Sequence, residues 1–81
     1  MHFVKDAKYL SGYKLLLRFE DGAKKIVDFQ PHLDGAIFEP LKDVLYFKTV
    51  NLNPDIDTIV WSNHADFSPD FLYEIGSKVE E

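Results

Sequence analysis

The chain has 81 residues, with 14 Asp and Glu against nine Lys and Arg and a formal net charge of −5. That length holds one domain, taken as residues 1–81, and the charge repels a phosphate backbone at long range. The absence of cysteine excludes a disulfide framework and thiolate chemistry and suits a reducing compartment.

Seven Phe, four Tyr and one Trp give so short a chain the means to build a dense core. No apolar run approaches the roughly 20 residues a membrane span needs. The first residues bring charge at once, at Lys5 and Asp6, unlike a secretory leader. A cytoplasmic protein is the expectation. Basic residues do not cluster: Lys24-Lys25 is the longest basic run and Arg18 the only arginine. Direct nucleic-acid binding is therefore not expected.

In chain order, Phe3 to Tyr9 reads as a strand, and Ser11-Gly12 turns the chain. Tyr13, Leu15, Leu17 and Phe19 alternate with Lys14, Leu16, Arg18 and Glu20, which puts four apolar groups on one strand face. Glu20-Asp21-Gly22 predicts a three-residue hairpin loop in which Gly22 takes the left-handed conformation. That loop sets Leu15 opposite Val27, Tyr13 opposite Phe29, Leu16 opposite Ile26 and Lys14 opposite Asp28. A two-residue Asp-Gly turn would instead set Leu15 against Asp28, so the register that matches apolar with apolar is preferred.

Pro31 to Gly35 reads as one helical turn ended by glycine. Phe38-Glu39-Pro40-Leu41 reads as extended, because the residue before proline avoids the helical region. Asp43 is placed to cap a short helix from Val44 to about Thr49. Val50 to Leu52 and Thr58 to Trp61 read as strands joined by Asn53-Pro54-Asp55. Ser68, Pro69 and Asp70 start a C-terminal helix whose buried stripe is Phe71, Leu72, Ile75 and Val79. Gly76 weakens its last turns, so Lys78 to Glu81 is expected to fray. The fold class is α+β: a small, mostly antiparallel sheet with an N-terminal hairpin, a short middle helix and a C-terminal helix on one face. Leu16 and Ile26 then lie on the opposite face, to be covered by the middle elements or by another subunit.

The ordered set Phe19-Glu20-Asp21-Gly22, Asp28, Phe38 to Asp43, Phe47, Trp61-Ser62-Asn63, Ala65-Asp66, Pro69 and Leu72-Tyr73 resembles the small bacterial domain-of-unknown-function 2442 family. The match runs through nearly the whole chain. Val44 stands where many members carry proline, and His64 where a smaller or acidic residue is more usual. The resemblance implies a small α+β fold with no assigned enzymatic activity. Some members lie beside a second small gene, for which a toxin–antitoxin type of pairing has been suggested, and others are joined to a helix-turn-helix domain. Both contexts imply an interaction module.

The best polar cluster is His64 and Asp66, with Asp70 one turn further on. Histidine and carboxylate are metal ligands when they converge from rigid positions. The plainer account is that Asp66 serves the turn before the helix, Asp70 favours the helix dipole and His64 is exposed. Trp61 and Asn63 fit a ligand platform, but a Trp packed beneath the C-terminal helix near Phe67 and Phe71 suits so small a core better, with Asn63 fixing a turn. The serines are turn, cap or terminal residues, His2 and His32 have no motif, and the four glycines stand singly with no phosphate-cradling loop. No catalytic, cofactor or metal residue is assigned and no cofactor is expected. The expectation is a non-catalytic module with a protein partner or self-association, using Leu16, Ile26, Asn63, His64 and Asp66 as candidate surface residues. The alternative is a ligand-binding or enzymatic site in the Trp61–Asp66 segment.

Overall fold

The computed structural model describes residues 2–79. Strand β1 runs over Val4–Ser11, β2 over Lys14–Phe19 and β3 over Lys24–Asp28. Along β2, Leu15, Leu17 and Phe19 are buried while Lys14 and Arg18 are exposed, so alternation does set the faces. The register is the apolar-matched one: Leu15 faces Val27, Leu16 faces Ile26 and Lys14 faces Asp28. Phe19 and Ala23 close the loop around Glu20-Asp21-Gly22, with the Phe19 amide donating to the Ala23 carbonyl at 2.8 Å. Gly22 sits at φ 86°, the left-handed conformation this loop requires.

The middle of the chain departs from expectation in two places. Residues Ala36–Lys42 form a 3₁₀ helix that passes through Pro40, where an extended run was expected. A 3₁₀ turn stacks residues three apart on one side. Here Phe38 lies against the Phe67 ring, 4.8 Å between centroids, and Leu41 is fully buried. Burial of those two groups overrides the proline's local preference. A shorter 3₁₀ turn covers Gln30–His32, and Gly35, at φ 98°, opens the following turn rather than closing this one. Helix α1, Val44–Phe47, starts where expected, with the Asp43 carboxylate accepting the Leu45 amide at 3.0 Å.

Strands β4, Asn51–Asn53, and β5, Thr58–Val60, form a separate two-stranded ribbon. It is tied to the start of β1 by the Val4 amide on the Asp57 carbonyl, 2.9 Å, and by Lys5 Nζ on the Asp57 carboxylate, 3.1 Å. Helix α2 covers Pro69–Ile75. The Ser68 side chain makes no capping bond, and the helix starts on backbone bonds alone. Its buried residue is Leu72, whereas Phe71 is 37% exposed and Val79 lies beyond the helix, so the expected stripe is corrected. The chain leaves α2 at Gly76 in extended conformation and forms β6, Ser77–Lys78, antiparallel to β3. Lys78 is thus paired rather than frayed; residues 80 and 81 lie outside the described range.

The main sheet has the order β1-β2-β3-β6. Its inner face presents Leu15, Leu17, Phe19 and Val27, all fully buried, and Phe29 follows directly behind β3. Phe47 and Trp61 fill the centre above them, 5.6 Å apart by centroid and 5.5 and 6.1 Å from Phe29. Each fully buried large side chain contributes about 1.5–3 kcal/mol of transfer free energy. The Trp61 indole N–H is satisfied inside the core by the Phe47 carbonyl, 2.9 Å away.

Candidate interaction surface

Residues directly opposite one another on adjacent strands share a face. The outer face of the main sheet can therefore be read row by row. One row is Lys8, Leu16, Ile26 and Ser77; the next is Asp6, Arg18 and Lys24; on the other side lie Ser11, Lys14 and Asp28. Leu16 and Ile26 are half-buried by their neighbours, and the charged residues around them are exposed. The expectation that this pair lies opposite the core holds. The helices and the ribbon build the other side, where the buried residues are.

The outer face is not flat. Asp6, Lys8, Arg18 and Lys24 surround Leu16 and enclose a depression of about 210 Å³. Arg18 lies between Asp6 and Lys24 in the pairing, yet its guanidinium makes no ion pair or hydrogen bond among the described residues. Both edges of the sheet are blunted. Edge strand β1 carries two register irregularities, between Val4 and Asp6 and between Tyr9 and Ser11. Edge strand β6 has only two residues. Bulges and short strands are the usual devices against edge pairing.

The Trp61–Asp66 segment is a tight turn held by its own bonds. The Trp61 amide donates to the Ala65 carbonyl at 3.0 Å, and the His64 amide to the Trp61 carbonyl at 2.9 Å. Asn63 fixes it further: its Oδ1 accepts the Ala65 amide at 3.1 Å and its Nδ2 donates to the Ile37 carbonyl at 2.9 Å. The Tyr46 hydroxyl accepts the Asn63 amide at 3.0 Å and lies 2.9 Å from Ser62 Oγ. Trp61 is buried among Phe29, Phe47 and Phe67; Phe71 stacks on Phe67 and does not reach it. His64 and Asp66 are exposed, and His64 adopts φ 69°. The Asp66 carboxylate makes no bond to the turn among the described residues; Asp66 serves it through a backbone bridge to Val60. Asp70 accepts the His2 amide at 2.8 Å. Among the described residues no group of three or more His, Cys, Asp or Glu is placed to hold a metal ion.

A second polar cluster joins parts of the chain whose association no local motif announces. The His2 ring stacks on Tyr73 with centroids 3.6 Å apart and planes 11° from parallel. Lys25 Nζ lies 3.8 Å from the Tyr73 ring centroid and donates to the Tyr73 carbonyl at 2.6 Å. The Tyr73 hydroxyl donates to Asp21 Oδ2 at 2.7 Å. That bond, helped by the Ala23 amide, holds the Asp21 carboxyl below the usual carboxylate range and raises the Tyr73 phenol above its ordinary value. The groups are spent on one another, which makes the cluster a clasp between hairpin loop, N-terminal segment and α2.

No described helix is long and apolar enough to cross a membrane. No curated protein and no solved structure matches the chain. The model of the family described as protein of unknown function DUF2442 matches residues 4–77, which carry every strand and helix except the last residue of β6, and the chain belongs to that family.

Proposed function

We propose that this chain is a non-catalytic protein-binding module that meets its partner over the outer face of the main sheet. One observation carries the reading: Leu16 and Ile26 sit side by side at the centre of a sheet face that, among the described residues, no helix covers. An apolar pair framed by charge is the usual layout of a binding patch, with a water-excluding centre and a polar rim. The bulged β1 and the short β6 favour face-to-face docking over strand addition. The buried Trp61 and self-bonded Asn63 leave His64 and Asp66 as flanking surface residues and offer no ring platform for a small ligand.

In the finer form of this reading, the chain is the partner-binding half of a two-protein toxin–antitoxin-like module in the bacterial cytoplasm. The family's gene contexts support that form by association only. The test is co-expression with the product of the neighbouring gene, comparing the native chain with a Leu16→Ser/Ile26→Thr variant. The native chain is expected to co-purify as a stoichiometric complex. The variant, folded by circular dichroism, is expected to elute alone. A native chain that elutes alone at cellular concentration, or a variant that binds equally well, would overturn the reading.

A further inference from the structure

We infer that the cavity between Tyr13, the Gln30–His32 turn and Lys42 is a binding site for an alkylammonium group, carried by a free amine or by a lysine side chain of a partner. The cavity encloses about 320 Å³ and is lined by Tyr13, Gln30, Leu33, Asp34 and Lys42. That is the small end of the roughly 300–1,000 Å³ found for ligand pockets. It shares no lining residue with the depression around Leu16 and does not depend on the binding-module reading.

Asp34 is the anchor. Asp21, Asp28 and Asp43 each accept the backbone amide two residues further on, at 2.9, 3.1 and 3.0 Å. Asp34 stands before the turn at Gly35, yet its carboxylate makes no hydrogen bond or ion pair among the described residues. The Gln30 side-chain amide is uncommitted among them too. The one cation in the lining, Lys42, is held by Glu39, with Nζ 3.1 Å from Oε2, and the Tyr13 hydroxyl donates to the Lys42 carbonyl. The side-chain groups left for a ligand are therefore a carboxylate and a primary amide. The surrounding stretch, residues 26–41, holds three acidic residues and no Lys or Arg.

A carboxylate beside an amide oxygen suits an ammonium, which brings three donors and a positive charge. Buried Leu33 and half-buried Tyr13 supply the apolar wall against which the methylenes of its stem pack. Other occupants fit less well. An anion would meet Asp34 and would have to draw Lys42 away from Glu39. A bare divalent cation would find in Asp34 the only acidic side chain of the lining.

The probe is n-butylammonium, with n-butanol and n-butyrate as controls of similar stem, titrated into the isotopically labelled full chain and followed by NMR amide shifts. The cation is expected to move the amides of Tyr13, Gln30, Leu33 and Asp34 with a Kd of about 1 mM. The effect should fade at about 0.5 M salt, where the screening length falls to a few ångströms. Asp34→Asn, an exposed change whose fold the same spectra check, is expected to weaken binding about tenfold, and Asp34→Glu to keep most of it. Absence of any shift at about 10 mM, an equal response to either control, shifts confined elsewhere or undiminished binding by Asp34→Asn would each overturn the inference. A capped lysine, Nα-acetyl-lysine methylamide, separates the two sources. Tighter binding than n-butylammonium makes the source a partner's side chain; equal or weaker binding makes it a free amine.

Discussion

Tyr73, on the last helix, donates its hydroxyl to Asp21 in the hairpin loop at 2.7 Å, across 52 residues of sequence. This bond gives the fold a pH dependence whose sign follows from the two shifts. Asp21 is held below its ordinary value of 3.8, chiefly by the Tyr73 hydroxyl, so its contribution is present above that value and is lost as pH falls through the lowered one. Tyr73 is raised above 10.0, chiefly by the same bond, so its contribution is complete below that value and is lost as pH rises through the raised one. Tyr73→Phe keeps the ring that stacks on His2 and removes the hydroxyl. Urea midpoints of the native chain and the variant are expected to differ between those limits and to converge in strong acid and strong base. A constant difference across the whole range would assign the stabilisation to something other than this bond.

Phe47 touches more of the core's rings than any local pattern indicates. Its centroid lies 5.5 Å from Tyr13 and Phe29, 5.6 Å from Trp61 and 6.2 Å from Tyr9, and its carbonyl accepts the Trp61 indole N–H. Phe47→Ala is expected to cost about 3–5 kcal/mol, the range for a large aromatic removed from a core. Global stability of a chain this size is about 4–12 kcal/mol at ordinary values per residue. The variant should unfold at much lower urea, and Trp61 fluorescence should shift to the red under native conditions as water reaches the ring. An unfolding free energy within about 1 kcal/mol of the native chain's would show that α1 is not part of the core.

How far these features can be read from sequence depends on the range over which they are decided. The β2–β3 register is legible because Leu15 pairs with Val27 and Leu16 with Ile26, and because Gly22 selects the loop. The outer placement of Leu16 and Ile26 follows from the same alternation. The ring of charged residues around Leu16 does not, because Lys8 joins it only through the bulged register of β1. Pro40 misleads because the 3₁₀ conformation around it is fixed by rings distant in sequence, with Phe38 resting on Phe67. The α2 stripe misleads because the chain turns into β6 after Ile75, which takes Val79 off the helix and leaves Phe71 partly exposed.

Gly76 marks that exit and is constrained by space, not by φ. A Cβ added there would meet Lys25 Cβ at 2.8 Å and the Leu72 carbonyl oxygen at 3.1 Å. Gly76→Val is therefore expected to push β6 off β3 while leaving the core in place. Hydrogen exchange checks this directly. The Val79 amide, which donates to the Lys24 carbonyl at 2.9 Å, should lose its protection, while the amides of the β2–β3 hairpin keep theirs. Retained protection at Val79 would mean that the junction shifts to accommodate the side chain.

His64 separates a structural turn from a functional one. It holds φ 69°, which costs a side-chain-bearing residue roughly 1–2 kcal/mol relative to glycine. Glycine regains most of that and loses part of it to the greater entropy of its unfolded chain. If the turn needs only its backbone and the bonds from Asn63, His64→Gly should be as stable as the native chain or more stable by up to about 1 kcal/mol. Asn63→Ala should move the other way by about 1–3 kcal/mol, because it strips the acceptor from the Ala65 amide and the donor from the Ile37 carbonyl. Paired denaturation curves of the two variants decide the matter. A His64→Gly chain that is less stable than native would mean that the imidazole makes a contribution which its exposed position in the fold does not explain.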